Sequence, residues 1–102
     1  MKVLSFFAVL SFSLGVLANI SNNCSLNGIK LYGKVKVVKH LPDIKVKKVN
    51  HFPDLKVKFV NHFPSKCGLW KVVDHFPDFT IQYVDHFPDV EIKEVDHFPG
   101  LP

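Results

Sequence analysis

The chain has no arginine; all thirteen of its basic residues are lysine. Arginine is the side chain suited to gripping phosphate or carboxylate bidentately, so its absence argues against a nucleic-acid or phosphate reader and points more simply to an AT-rich genome. Hydroxyl nucleophiles are scarce as well. After residue 18 the serines are Ser21, Ser25 and Ser65, and none stands beside a base in the pattern of an activated nucleophile. There is no glycine-rich phosphate loop, and no pair of carboxylates stands apart from the repeats, so neither enzyme activity nor a cofactor is expected. Cysteine is confined to Cys24 and Cys67, neither with the nearby second cysteine that structural zinc sites use. Past the N-terminus no apolar run approaches the roughly 20 residues of a membrane-spanning helix.

What the chain does have begins with a secretory signature. Lys2 supplies a minimal positive start, Val3 to Leu17 an apolar core, and Val16-Leu17-Ala18 the small residues before a cut. Residues 1–18 are therefore expected to be a signal peptide, with a retained anchor as the alternative, and the protein to be secreted or periplasmic. The remaining chain makes one small domain, near the size where burial alone stabilises weakly. In an oxidising compartment an even pair of cysteines is most simply a disulfide, here Cys24–Cys67, although two free thiols are the competing state. Closing so long a loop contributes about 4 kcal/mol on the chain-entropy account.

One phrase is then written six times: His40-Leu-Pro-Asp43, His51-Phe-Pro-Asp54, His62-Phe-Pro-Ser65, His75-Phe-Pro-Asp78, His86-Phe-Pro-Asp89 and His97-Phe-Pro-Gly100. Its histidines step by 11, 11, 13, 11 and 11 residues, the mark of a repeat architecture. Within a unit, Ile44 and Val46 alternate with Lys45 and Lys47, the period of a strand with one wet face. At Lys47-Lys48 the phase slips, which predicts a bulge or bend after which Val49 and His51 point inward. Pro suits position i+1 of a type I turn and Asp tolerates i+2, so Phe52-Pro53-Asp54-Leu55 predicts a turn with an aromatic lid. β-branched residues at the apolar positions, with a proline in every unit, exclude helix. The fold class expected is all-β, built from short proline-punctuated strands.

The longer step divides the array into three units before and three after Ser65-Lys-Cys-Gly-Leu-Trp70. Cys24 precedes the first half and Cys67 the second, so their bond would tie the start of one half to the start of the other. Charge divides at the same seam. From Lys30 to Lys71 eleven lysines accompany Asp43 and Asp54, whereas from Val72 to Pro102 seven acids accompany Lys93. The two halves are thus expected to lie alongside one another, with opposite charges on facing strands helping to fix register.

Two sets of residues are candidate sites. The six histidines, with Asp74, Asp85 and Asp96 beside the last three, resemble a metal-ligand ladder, but tandem duplication places them at this spacing for packing alone, so half-buried structural histidines and no metal site are expected. Lys34, Lys36, Lys45, Lys47, Lys56 and Lys58 would form a comb on one sheet face, a footprint for polyanions. Phe59 and Trp70 do not interleave with it as a stacking platform would, so no nucleic-acid partner is expected.

The opening Asn27-Gly-Ile-Lys-Leu-Tyr-Gly-Lys-Val-Lys-Val-Val38, the recurring Val-x-x-Phe-Pro-Asp units and the central Lys66-Cys-Gly-Leu-Trp-Lys-Val-Val73 resemble bacterial proteins of the 7(1) septoil knot domain family, over about residues 24–100. The resemblance implies a small β domain tied in a seven-crossing torus knot, two chain halves wound about each other. This breaks the usual rule that chains do not thread loops. In that family the histidine position is often serine, which argues against a shared metal role. The plan is then a signal peptide at 1–18, an N-terminal segment with the disulfide cysteine at 19–28, and one repeat-built knotted domain at 29–102; an unknotted β-solenoid is the alternative. The expected function is an extracytoplasmic structural or interaction module, kept intact because a threaded chain cannot loosen without withdrawing through itself. A metal- or polyanion-binding protein using the repeated His or Lys positions is the alternative function.

Overall fold

The computed structural model describes residues 19–102, and the expected signal peptide lies outside them. Eight strands follow in order: β1 (Ser25–Leu26), β2 (Ile29–Lys30), β3 (Gly33–Val37), β4 (Ile44–Lys48), β5 (Leu55–Phe59), β6 (Leu69–Val72), β7 (Phe79–Tyr83) and β8 (Val90–Glu94). Among the described residues no helix is long and apolar enough to cross a membrane. Strands β1 and β2 form a hairpin turning at Asn27 (φ 52°) and Gly28 (φ 84°), the backbone signs that a type I′ turn demands and that Asn-Gly supplies at least strain. The hairpin straddles the boundary expected after residue 28.

The other six strands close into a barrel in the order β3-β6-β5-β8-β4-β7, every neighbour parallel. Each first-half strand therefore sits between two second-half strands. A solenoid would stack β3, β4 and β5 as neighbours; here none of them touches another within the sheet, so that alternative is set aside.

Register explains why the apolar alternation fits this closure. Val35 pairs with Phe79, Ile81 with Ile44, Val46 with Val90 and Ile92 with Leu55, so each step to the next strand climbs two residues. Since side chains alternate with a period of two, every strand then points inward at the same level. Val35, Ile81, Val46, Ile92, Val57 and Trp70 make one such ring, all at 0% exposure. Phe79, Ile44, Val90 and Leu55, with Gly33 and Gly68, make the ring beneath it. Each large apolar side chain so buried stabilises by roughly 1.5–3 kcal/mol relative to exposure, an upper bound against a compact unfolded chain. Trp70 stacks edge-on against Phe79 and Phe59 at 5.6 and 6.0 Å, and its indole N–H donates to the Leu31 carbonyl at 3.0 Å.

Leu31, Leu26 and Cys24 close the barrel where the strands begin. The Cys24–Cys67 disulfide (S–S 2.03 Å, Cα–Cα 5.8 Å) fastens this plug to the seam. At the opposite end a looser rim holds Tyr83, Lys48 and Glu94: the Lys48 ammonium lies 5.2 Å from the Tyr83 ring centroid and 3.8 Å from Glu94. Burial first, and the Glu94 carboxylate second, push the Tyr83 phenol above its ordinary value of 10.0.

Candidate functional site

Because halves alternate round the barrel, the link joining two strands of one half must pass a strand of the other. Residues 38–43 pass β7, 49–54 pass β8, 73–78 pass β3 and 84–89 pass β4, and the C-terminal segment 95–100 passes β5 in the same way. Each link is fastened at both ends to the strand it crosses. At its start a valine N–H donates to a carbonyl there: Val38 to Ile81, Val49 to Ile92, Val73 to Val35, Val84 to Val46 and Val95 to Val57, all at 2.8–2.9 Å. At its end stands the aspartate of the repeated phrase.

That aspartate does not serve as the i+2 residue of a local turn. It makes a two-way clasp across the halves. Asp78 donates its N–H to the Lys34 carbonyl and accepts the Lys34 N–H on Oδ2, both at 2.7 Å. Asp89 does the same with Lys45, and Asp54 with Glu91, every bond at 2.8 Å. Asp43 accepts the Thr80 N–H at 2.8 Å and donates its own to Thr80 Oγ1 at 2.9 Å. In the last unit Gly100 takes the place of aspartate and exchanges two backbone bonds with Lys56 at 2.8 Å. A carboxylate accepting a backbone N–H is among the stronger neutral–charged hydrogen bonds. The Asp78 clasp also explains a glycine. Gly33 has φ 130°, and a Cβ there would stand 2.5 Å from Asp78 Oδ2.

The clasps and inward rings, and not ion pairs, carry the register. Lys47 does face Glu91, but Lys34 faces Lys71 and Lys56 faces Lys93. The single salt bridge among the described residues is Lys48–Glu94, with both side chains over half exposed, a geometry worth little. Opposite charge meets in another way: the acidic links bearing Asp74, Asp85 and Asp96 ride over the lysine-rich strands β3, β4 and β5. The lysine comb is consequently not one face. Its three pairs sit on strands separated by second-half strands, and a link passes over each.

Between clasp and valine, each link turns outward and exposes its His-Phe pair. The bend expected at Lys47-Lys48 is the end of β4, and Val49 is half-buried at the corner. All six histidines, His40, His51, His62, His75, His86 and His97, are exposed, which corrects the half-buried expectation. Among the described residues no three His, Cys, Asp or Glu side chains gather as metal ligands. The aromatic lid is also corrected: Leu41, Phe52, Phe63, Phe76, Phe87 and Phe98 are 79–95% exposed. Five of them, all but Phe63, have φ of 53–57°. That left-handed backbone disfavours any side chain with a Cβ, and the following proline crowds it further. In four units the imidazole and phenyl centroids lie 6.3–6.5 Å apart at 50–57°, so one two-ring element is copied.

The tips follow the strands they cross, one at each position round the barrel; the sixth link, which joins the two halves, begins over β6, where the Val60 N–H donates to the Trp70 carbonyl at 2.9 Å. In barrel order the tips are Phe76, Phe63, Phe98, Phe52, Phe87 and Leu41, so tips preceded by aspartate alternate with tips preceded by Lys39, Asn50 or Asn61. Two clefts lie beside the tips. One of about 660 Å³ lies between Phe63 and Asp78, with Tyr32 and Lys34 in its wall; another of about 380 Å³ lies between His62 and His97, with Asp96, Phe98, Lys58 and Lys66. The exposure of the tips was not legible in the sequence, because an apolar residue at a fixed repeat position reads as core.

No curated protein matches the chain. Its residues 28–102 match the 7(1) septoil knot domain, and the two halves alternating round a closed sheet are the arrangement that such winding requires, so this chain belongs to the 7(1) septoil knot domain family.

Proposed function

We propose that the protein is a non-catalytic, extracytoplasmic structural or interaction module whose durability is kinetic. The observation that carries this reading is the fastening of five of the six tip-bearing segments, at both ends, to a strand of the other half. To release any one strand the chain must break these bonds and then withdraw past its partner half, so local opening does not propagate from an end. The disulfide, together with the expected signal peptide, supports a place outside the cytoplasm. The metal- and polyanion-binding alternatives have less behind them, since the histidines are dispersed round the barrel and the lysines lie in three strips.

The test is to open the thread without removing contacts. A specific protease site introduced at Ser65, in the seam between the halves, lets the folded protein be nicked while Cys24–Cys67 still joins the pieces. Intact protein should unfold in guanidinium more slowly than nicked protein by at least about tenfold, a difference belonging to the barrier and not to lost contacts. Equal unfolding rates would overturn the reading.

A further inference from the structure

Large apolar side chains held in solvent at a cost in backbone strain need a reason, because neither burial nor the turn itself calls for them. Glycine would form each of these bends at lower energy. From the exposed rings, their polar neighbours and their placement, we infer that the loop tips are a multivalent binding surface for a neutral polysaccharide chain. The inference deepens the interaction-module reading and rests on it.

Each of the five phenylalanine tips offers what a pyranose ring needs; Leu41, the sixth, has no ring. The phenyl face receives the sugar's C–H-bearing face, and the adjoining imidazole, with Asp74, Asp85, Asp96, Asn50 or Asn61 just before it, offers hydrogen bonds to hydroxyls. The cleft between His62 and Phe98 gives a chain somewhere to lie between two neighbouring tips, and a larger one opens beside Phe63. Copying one element round a barrel suits a ligand that is itself a repeat, because weak identical contacts then act together.

Placement also selects among occupants. A flat bilayer meets only an arc of the barrel, and any two adjacent tips include one with an aspartate before its histidine, which opposes an anionic membrane. At those three tips the aspartates also set like charge against a polyanion such as nucleic acid, which the chain's net charge of +4 would otherwise attract. A neutral, flexible, hydroxyl-rich polymer meets neither obstacle.

The experiment uses the disulfide-bonded protein, residues 19–102, on insoluble cellulose, chitin and β-1,3-glucan, with phosphatidylglycerol vesicles and single-stranded DNA in parallel. Wild type should be retained by at least one polysaccharide and released by its soluble oligosaccharide. Each of Phe52→Gly, Phe76→Gly, Phe87→Gly and Phe98→Gly should weaken apparent affinity by roughly threefold to tenfold, and the fourfold variant, folded by circular dichroism, should be lost from the solid phase. Wild type bound to none of the three, a fourfold variant retained as well as wild type, or phenylalanine-dependent binding to vesicles or DNA alone would overturn the inference. Slow unfolding of the intact chain alongside failure here would leave the durability reading standing, so the two fail separately.

Discussion

Replacing the four exposed phenylalanines of left-handed backbone by glycine should make the protein more stable. Phe52, Phe76, Phe87 and Phe98 adopt φ of 53–57°, a region that costs an L-residue roughly 1–2 kcal/mol. Glycine removes that penalty but frees the unfolded chain, returning about 0.4–1 kcal/mol. Burial scarcely enters, since Phe52 is 93% exposed. The net expectation is a gain of about 0.5–1 kcal/mol per site, or about 3–6 °C in Tm for a domain of this size. The tips lie on different links, each over a different strand, so the fourfold variant should gain about 2–4 kcal/mol if the sites add. Phe63 is the internal control. It lies outside the left-handed region, so Phe63→Gly should lose about 0.5–1 kcal/mol. Guanidinium unfolding and refolding curves with the disulfide intact, equilibrated until both directions coincide, provide the measurement. Losses above about 1 kcal/mol at Phe52 or Phe87, or a gain at Phe63 equal to theirs, would refute the strain argument.

Two further predictions concern the clasps and the rim. Asp78→Ala leaves the Lys34 N–H without its carboxylate and should cost about 1.5–3 kcal/mol, with Asp78→Asn recovering part of it, both read from denaturant midpoints; an unchanged midpoint for Asp78→Ala would show that the clasp does not hold the link. For Tyr83, the unfolded phenol ionises near 10 while the folded one keeps its proton, so stability should be unaffected by this group below pH 10 and fall as pH rises through the folded value. Ultraviolet titration of a Tyr32→Phe variant should place Tyr83 above 10.0, and Glu94→Gln should bring it partly down; a midpoint at or below 10.0 would contradict the rim geometry.

How much was legible in the chain itself follows from which signals are local. Alternation at Ile44-Lys-Val-Lys47 announced strands with one buried face, and proline in each unit announced where they end. The odd step at Ser65 to Trp70 marked the seam between halves, and the lone pair of cysteines on either side of the first half marked the bond. These depend on near neighbours in sequence, where backbone sterics and side-chain period leave few choices. The roles of Asp78 and Phe76 lay beyond that reach. In sequence they are one turn phrase, but Asp78 answers to Lys34, 44 residues away, and Phe76 is turned out because its link must pass over β3. Only the closed order of strands, a two-residue climb at each step with halves alternating, decides which carbonyl an aspartate meets and which face of a loop is left to water.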